Sequence, residues 1–333
     1  MKAIYYEDRG AARDVLRYGD HLPEPQPGPD EVLVRVARSA VNPSDTKARQ
    51  GTGPRPSPWP RIIPHQDGAG VIEAAGANVD KNRIGQRVWL HECQFGRPFG
   101  TAAEWIAVPD HLALALPDTV SMAQGATLGI PALTAWLAMS RVAAGPGKRV
   151  LVHGAAGSVG FYAAQMARLL GADVLGTVSN TQQAAIIEAQ GIPAVLRGGE
   201  MQKQALAHLG KSGGAGFDAI VDVDFSANLE ANLELIAVGG HIASYASDAN
   251  LAPQIPVRTL MHKNLQLAFL LVYTMPADIK QHGIDQIYRW METGSLHFPE
   301  ICSYPLQATA DAHEAVESRR HVGKVVLEIN SEA

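Results

Sequence analysis

The chain has 333 residues, 46% of them hydrophobic and 18% charged, with a formal net charge of −5. That balance excludes an intrinsically disordered polymer and argues against nucleic acid or an anionic membrane as a partner. The length predicts two domains, and the two cysteines, Cys93 and Cys302, are too few for a disulfide framework or a four-cysteine metal lobe and fit a reducing, cytoplasmic setting.

The first residues, Met1-Lys2-Ala3-Ile4-Tyr5-Tyr6-Glu7-Asp8, carry acids where an export signal needs an apolar run, and no apolar stretch approaches the length of a membrane-spanning helix. Residues 1–122 read as short strands broken by turns, with prolines from Pro23 to Pro64 as punctuation. Val32, Val34 and Val36 alternate with Leu33, Arg35 and Ala37, the period of a strand with one face inward. Stretches at 70–74, 87–90 and 104–108 repeat the theme and predict a small barrel or sandwich.

From residue 123 the pattern changes to alternating helix and strand. Residues 123–143 read as a helix interrupted at Pro131, and 150–152 as a buried strand. A helix over 158–170 stops at Gly171, and further strands are expected at 173–179, 194–196, 217–223, 241–245 and 265–272. The intervening helices include one over 226–237 that ends at Gly239-Gly240, and a helix over 276–292 closes the series. Strands separated by helices in right-handed crossovers make an α/β fold with a doubly wound parallel sheet. Residues 301–306, a helix over 308–318 and a strand over 324–329 return to the β-rich character. The predicted organisation is a β-rich domain of residues 1–122 and 297–333, interrupted by a nucleotide-binding domain of residues 123–296.

The stretch Val150-Leu151-Val152-His153-Gly154-Ala155-Ala156-Gly157-Ser158-Val159-Gly160 joins a strand, a small-residue turn and a helix without interruption. Ala155, Ala156, Gly157, Ser158, Val159 and Gly160 therefore read as a nucleotide-phosphate cradle, in which free amides and the positive end of the helix dipole hold a pyrophosphate. Ala155 stands where the dinucleotide pattern has its first glycine. The pattern's second half is an acid roughly twenty residues further on that grips the ribose hydroxyls. Here that neighbourhood is Ser179-Asn180-Thr181, which can donate to a 2′-phosphate, and Arg197 after the third strand is the nearest cation. NADPH is favoured over NADH on these grounds. Ser244 and Tyr245 end the fifth strand, where doubly wound sheets place their ligands.

Five motifs together carry a family resemblance: Asn42-Pro43-Ser44-Asp45-Thr46, Gly68-Ala69-Gly70-Val71-Ile72-Glu73, Gly129-Ile130-Pro131-Ala132-Leu133-Thr134-Ala135, the cradle, and Gly323-Lys324-Val325-Val326-Leu327. Their order and spacing resemble the medium-chain dehydrogenase/reductase superfamily, and within it the zinc-free quinone oxidoreductases related to zeta-crystallin, over essentially the whole chain. The resemblance implies a GroES-like catalytic domain, a Rossmann domain, and a cleft between them in which NADPH passes hydride to a quinone or enone. Zinc-dependent members have cysteine at the position of Asn42 and Gly-His-Glu at the positions of His65-Gln66-Asp67, so no metal is expected; His65, Asp67, His91 and Cys93 are the ligand types that remain.

By the same resemblance Asn42 is the candidate amide donor to substrate, or else holds the bend beside Pro43. Ser44 matches the hydroxyl that relays protons in the zinc-dependent members, or else is a cap after the strand, and Asp45 reads as the anchor of the loop in preference to a base. Lys47 stands where relatives usually carry tyrosine and is the candidate cationic donor to an enolate or quinol oxygen, its alternative being an exposed lysine on a loop. Thr134 matches a position near the nicotinamide amide, and Phe269 and Leu271 offer backbone contacts to the ring, although sequence alone reads them as core. Relatives are commonly dimers, and pairing through the apolar sixth strand predicts a homodimer. An enoyl-thioester or alkenal double-bond reductase is the enzymatic rival, with Arg55, Arg61 and Arg97 as a scattered phosphate path; a non-enzymatic NADPH-binding role of the crystallin or RNA-binding kind is the other. Loops 51–54 and 94–100 are expected to shape the pocket. Asp224 has no reading at this level.

Overall fold

The alternation at Val32, Val34 and Val36 is realised as far as Val36: all three side chains are completely buried and pack with Ile72, Val88, Leu90, Ile106 and Val108 from neighbouring strands, whereas Ala37, at a register shift, is buried as well. The computed structural model describes residues 1–52, 58–211, 215–319 and 322–330. Gly53, Pro54 and Arg55, assigned above to a pocket loop and a phosphate path, lie outside the described residues.

Two units are distinguished, Met1–Ile130 with Tyr288–Gly294 and Phe298–Ala333, and Pro131–Ile287 with Ser295–His297. The first opens with β1 (Ala3–Tyr5), α1 (Ala12–Val15), β2 (Arg17–Gly19), β3 (Glu31–Ala40), α2 (Pro43–Gln50), β4 (Asp67–Ala75), β5 (Arg87–Leu90), β6 (Trp105–Pro109), β7 (Ala113–Ala115) and α3 (Met122–Ala126). α4 (Gly129–Val142) leads into the second unit. There the order is β8 (Arg149–Val152), α5 (Ser158–Leu169), β9 (Asp173–Val178), α6 (Thr181–Glu188), β10 (Ala194–Leu196), α7 (Met201–Lys211), β11 (Phe217–Asp222), α8 (Phe225–Leu235), β12 (Ile236–Ser244), α9 (Val257–His262), β13 (Gln266–Phe269) and α10 (Ala277–Glu292). The chain then supplies β14 (Ile301–Pro305), α11 (Thr309–Ser318) and β15 (Lys324–Glu328) to the first unit.

In the first unit β14, β15, β3, β4, β5 and β7 lie in that order, and β6 pairs with β3. β15 joins β3 antiparallel, Val326 opposite Ala40, so the end of the chain completes the sheet begun by its start. The second unit has the order β10-β9-β8-β11-β12-β13, parallel throughout, with the strand order reversing across β8. This is the doubly wound arrangement of two mononucleotide halves, and it puts a switch point at the carboxyl end of β8.

Several boundaries differ from the sequence reading, among them residues 288–294, which join the first unit and not the nucleotide-binding one. The helix break comes at Thr127-Leu128, ahead of Pro131, because a proline in the first turn of α4 gives up an N–H that has no partner there. α3 belongs to the first unit because it packs on β3, β4 and β5. Gly239-Gly240 does not end a helix: α8 stops at Leu235, and β12 runs through the glycine pair, with Gly239 at φ 77°. α2 is a helix where a loop was expected, opened by Pro43 at its first position and closed by Gly51 at φ 83°.

Candidate functional site

The second unit presents a cradle at its switch point. β8 ends at Val152, and Gly154 turns the chain at φ 65°. Ala155 N–H donates to the Thr177 carbonyl at 2.9 Å and Gly157 N–H to the Gly154 carbonyl at 2.8 Å, after which α5 begins at Ser158. A Cβ at residue 160 would stand 2.2 Å from the Gly154 oxygen, so only glycine lets the helix come this close to the turn. The amides of Ser158, Val159 and Gly160 lie beyond the reach of their own helix's carbonyls and are the groups an anion would meet. Ala155 replaces a glycine without strain in the turn because its partner yields space: a Cβ on Gly176 of β9 would sit 2.7 Å from the Ala155 Cβ.

Ser179 and Asn180 are exposed at the end of β9. Asn180 caps α6, its Oδ1 accepting Gln183 N–H at 2.9 Å, and Gln183 Oε1 accepts Ser179 N–H at 2.9 Å. Arg197 is exposed, and its N–H donates to the Val178 carbonyl at 2.8 Å, which places it beside the same strand end. Register pairs Asp222 with Ser244 and Ser244 with Phe269, so the carboxyl ends of β11, β12 and β13 lie side by side. The Ser244 hydroxyl is buried and reaches the carbonyls of Asp222 and Ala246, 3.3 and 3.0 Å away, so it ties strand ends together instead of facing a ligand. Burial pushes the Tyr245 phenol up, with the Asp222 charge acting the same way. Phe269 and Leu271 are 62% and 41% exposed, not core, and the Phe269 ring packs edge-on to Phe225 at 5.0 Å. Thr134 is buried on α4.

In the first unit the three residues read as catalytic share the first turns of α2: Asn42 is the N-cap, Ser44 and Lys47 follow. Asn42 is buried and its carboxamide is committed to the interior. Its Nδ2 donates to Asp67 Oδ2 at 2.7 Å, its Oδ1 accepts from Lys324 Nζ, and its own N–H goes to Asp45 Oδ2 at 2.8 Å. This geometry gives Asn42 the bend-holding role, and Asp45 anchors the helix start as the sequence suggested. The Ser44 hydroxyl oxygen is buried and has no hydrogen-bond partner among the described residues. Lys47 lies half-buried on a helix, not exposed on a loop.

Asp67 opens β4 and receives Ile130 N–H on both oxygens at 3.0 Å, capping the start of α4. Gly129 is required beside it, since a Cβ there would fall 2.0 Å from Asp67 Oδ1. Burial pushes Asp67 up to about 6 and Asp45 up to about 7, while it pushes the Lys324 ammonium down against the pull of the two acids. A second chain runs alongside: Thr101 Oγ1 donates to the Asp67 carbonyl at 2.7 Å, Ser39 Oγ lies 2.7 Å from Thr101 Oγ1 and 2.8 Å from His65 Nδ1, and His65 Nε2 lies 2.9 Å from His313 Nε2. His65 holds φ 83° and Glu92 φ 53°, two non-glycine residues in the left-handed region, and Cys93 N–H donates to the Gln66 carbonyl between them. His65 is therefore engaged in this chain, and among the described residues no three His, Cys, Asp or Glu side chains converge on a metal position.

Lys324, Thr177 and Asp222 were not singled out from sequence. The available signal was a charged or polar residue inside an apolar strand, as in Gly323-Lys324-Val325-Val326 and Ile220-Val221-Asp222-Val223, since such residues are buried only when partnered. Asp224 now has its account: it caps α8 and accepts from Ser226 Oγ at 2.8 Å and Ala249 N–H at 3.1 Å.

Residues 28–118 match the profile of the alcohol dehydrogenase GroES-like domain, and residues 194–327 that of the zinc-binding dehydrogenases. The quinone oxidoreductases of Pongo abelii and Homo sapiens are each 32% identical over 332 residues, covering 98% of this chain and 97% of those proteins. The chain belongs to the quinone oxidoreductases of the medium-chain dehydrogenase/reductase superfamily. Its fold agrees with the family's solved structures. The Pseudomonas syringae quinone oxidoreductase superposes with a TM-score of 0.85 at 28% identity, covering 98% of this chain and 99% of that one. The Thermus thermophilus quinone oxidoreductase, solved also in complex with NADPH, gives 0.83 at 28% identity, covering 99% and 100%. Among the described residues no helix is long and apolar enough to cross a membrane.

Proposed function

We propose that the protein is an NADPH-dependent, metal-free reductase that passes hydride to quinones or related activated alkenes. The observation that carries this reading is the cradle: a turn built only of glycine and alanine from Gly154 to Gly157, the open first turn of α5 behind it, and an adjoining strand end, Ser179-Asn180, that offers hydrogen-bond donors and no carboxylate. A 2′-phosphate is accepted there where an acid would repel it, and Arg197 is the cation within the same edge. The NADPH complex of the Thermus thermophilus relative supports the same cofactor.

Bound NADPH supplies the hydride and its electron pair. The chain's own residues hold and aim. The amides of Ser158, Val159 and Gly160 bind the pyrophosphate, Thr134 and the backbone of Phe269 and Leu271 orient the nicotinamide, and Tyr245 lines the strand ends. Lys47 donates a hydrogen bond to the oxygen of the acceptor as negative charge grows on it, and a proton taken up from solvent and relayed through the Ser44 hydroxyl completes the quinol. The Asn42, Asp67 and Lys324 cluster keeps the start of α2 rigid beneath them. We further propose a cytoplasmic homodimer joined through β13.

The deciding experiment follows NADPH absorbance in chelator-treated protein with benzoquinone and an enoyl-CoA in parallel, and NADH as control. Oxidation with the quinone is expected. Oxidation with the thioester alone would move the assignment to a double-bond reductase, and none with either would overturn the enzymatic reading.

A further inference from the structure

The turn of the cradle hangs on a chain of hydrogen bonds that ends at a buried carboxylate. Asp222, fully buried at the end of β11, accepts Asn232 Nδ2 at 2.7 Å on Oδ2, and Asn228 Nδ2 at 2.7 Å and Asp224 N–H at 2.9 Å on Oδ1. Asn232 Oδ1 lies 2.8 Å from His153 Nε2. A carboxamide oxygen only accepts, so the proton is on Nε2. Burial pushes His153 below the ordinary histidine value against the pull of Asp222, which leaves the ring neutral with a lone pair on Nδ1. Thr177 Oγ1, 3.2 Å from Nδ1, is then the donor to it, and the same oxygen accepts Gly154 N–H at 3.2 Å. Every donor points the same way, from the Gly154 amide to Asp222.

Thr177 also accepts Ala155 N–H on its carbonyl at 2.9 Å. One residue of β9 thus fixes two successive peptide planes of the turn. The second of these contains the Gly154 carbonyl that receives Gly157 N–H and limits residue 160 to glycine. An error in either plane turns the first amides of α5 away from the direction in which they meet an anion.

We propose that Thr177, His153, Asn232 and Asp222 are positioning residues of the cofactor cradle, acting through a one-way hydrogen-bond chain on the Gly154 amide. This rests on the NADPH reading above, and the four act through the backbone of the turn. A residue with only a packing role could be replaced by an isostere of the same volume, whereas here the hydroxyl itself is needed.

The test compares Thr177→Val, which keeps the shape and removes the hydroxyl, with Thr177→Ser, which keeps the hydroxyl. NADPH binding is measured by fluorescence titration, exchange protection of the Gly154 amide by NMR, and folding by thermal melting. Thr177→Val is expected to weaken NADPH binding about five- to tenfold and to lower protection at Gly154 by a similar factor, with Thr177→Ser close to the parent, as for loss of one buried hydrogen bond. Asp222→Asn should weaken binding too, and the double variant should be no weaker than the weaker single, because both break one chain. Unchanged affinity and Gly154 protection in Thr177→Val, or equal losses in the serine variant, would overturn the proposal; should Asp222→Asn not fold, the threonine pair decides alone. If the parent protein does not bind NADPH at all, the cofactor reading falls, and Gly154 protection in the two threonine variants still decides the chain.

Discussion

Lys47 is the residue on which the proposed chemistry turns. It follows a buried, rigid N-cap by just over one helical turn and lies half-buried, so its ammonium is carried on a fixed base. Lys47→Met is expected to lower kcat about tenfold or more while leaving NADPH affinity within about twofold, since a donor to a developing oxyanion acts in the transition state. Equal turnover in stopped-flow assays would return Lys47 to a surface role. Residue by residue, the sequence shows what small side chains and exposed polar groups do, because those depend on local geometry. It does not show where a carboxamide is spent. Asn42 reads as a substrate donor until Lys324, 282 residues away in the chain, occupies its oxygen and Asp67 its nitrogen. Ala155 likewise reads as a flaw in the cradle until Gly176 is seen opposite it.

Among the elements, α11 is fastened to the segment before β4 by the stacked His65 and His313 rings, 5.1 Å between centroids. Burial holds His65 well below the ordinary 6.5 and His313 at about 3, so both are neutral in the folded protein, while the unfolded chain takes up protons below 6.5. Folding stability contributed by these rings is therefore present above 6.5 and is lost as the pH falls below it. Asp45 and Asp67 act in the opposite sense, since acids pushed up to about 7 and 6 keep protons that the unfolded chain releases above 3.8. The two trends are separated by His313→Gln, which keeps a donor for His65 Nε2 and removes one titrating ring. Its melting temperature relative to the parent should rise as the pH is lowered through 6.5, and a constant difference would show that His313 is not neutral when folded. Elements of strong period were legible, down to the stop of α5 at Gly171. The errors were at glycine and proline, whose meaning depends on tertiary neighbours: a pair inside β12 read as a helix stop, and Pro131 in a first turn read as an interruption.

At the scale of the whole molecule, the alternation of elements was enough to give a doubly wound sheet inserted in a β-rich domain, and the boundaries moved where α3 and residues 288–294 join the first unit. The outer edge of the second unit is unusually apolar for a surface. Val238, Met261 and Phe269 are 75%, 73% and 62% exposed along β12, α9 and β13, and β13 has an unpaired edge within the described chain. Covering by a second copy is the expected outcome: analytical ultracentrifugation should give twice the 35.5 kDa chain mass, and Met261→Glu with Phe269→Glu should halve it. A parent that sediments as a single chain would refute the dimer.

The closing of the first sheet by β15 also orders events in time. The second unit is complete once residue 297 has been made, and its strands can pair while the chain is still being synthesised. Asp45 and Asp67 were made long before, yet the lysine whose charge pulls on both is Lys324, on β15. Until that strand arrives, burying either acid in its charged form is unfavourable, because the ammonium that offsets it is missing. The first unit is thus the later of the two to close, and a chain cut short of β15 leaves Asp45 and Asp67 without the lysine that faces them in the finished sheet.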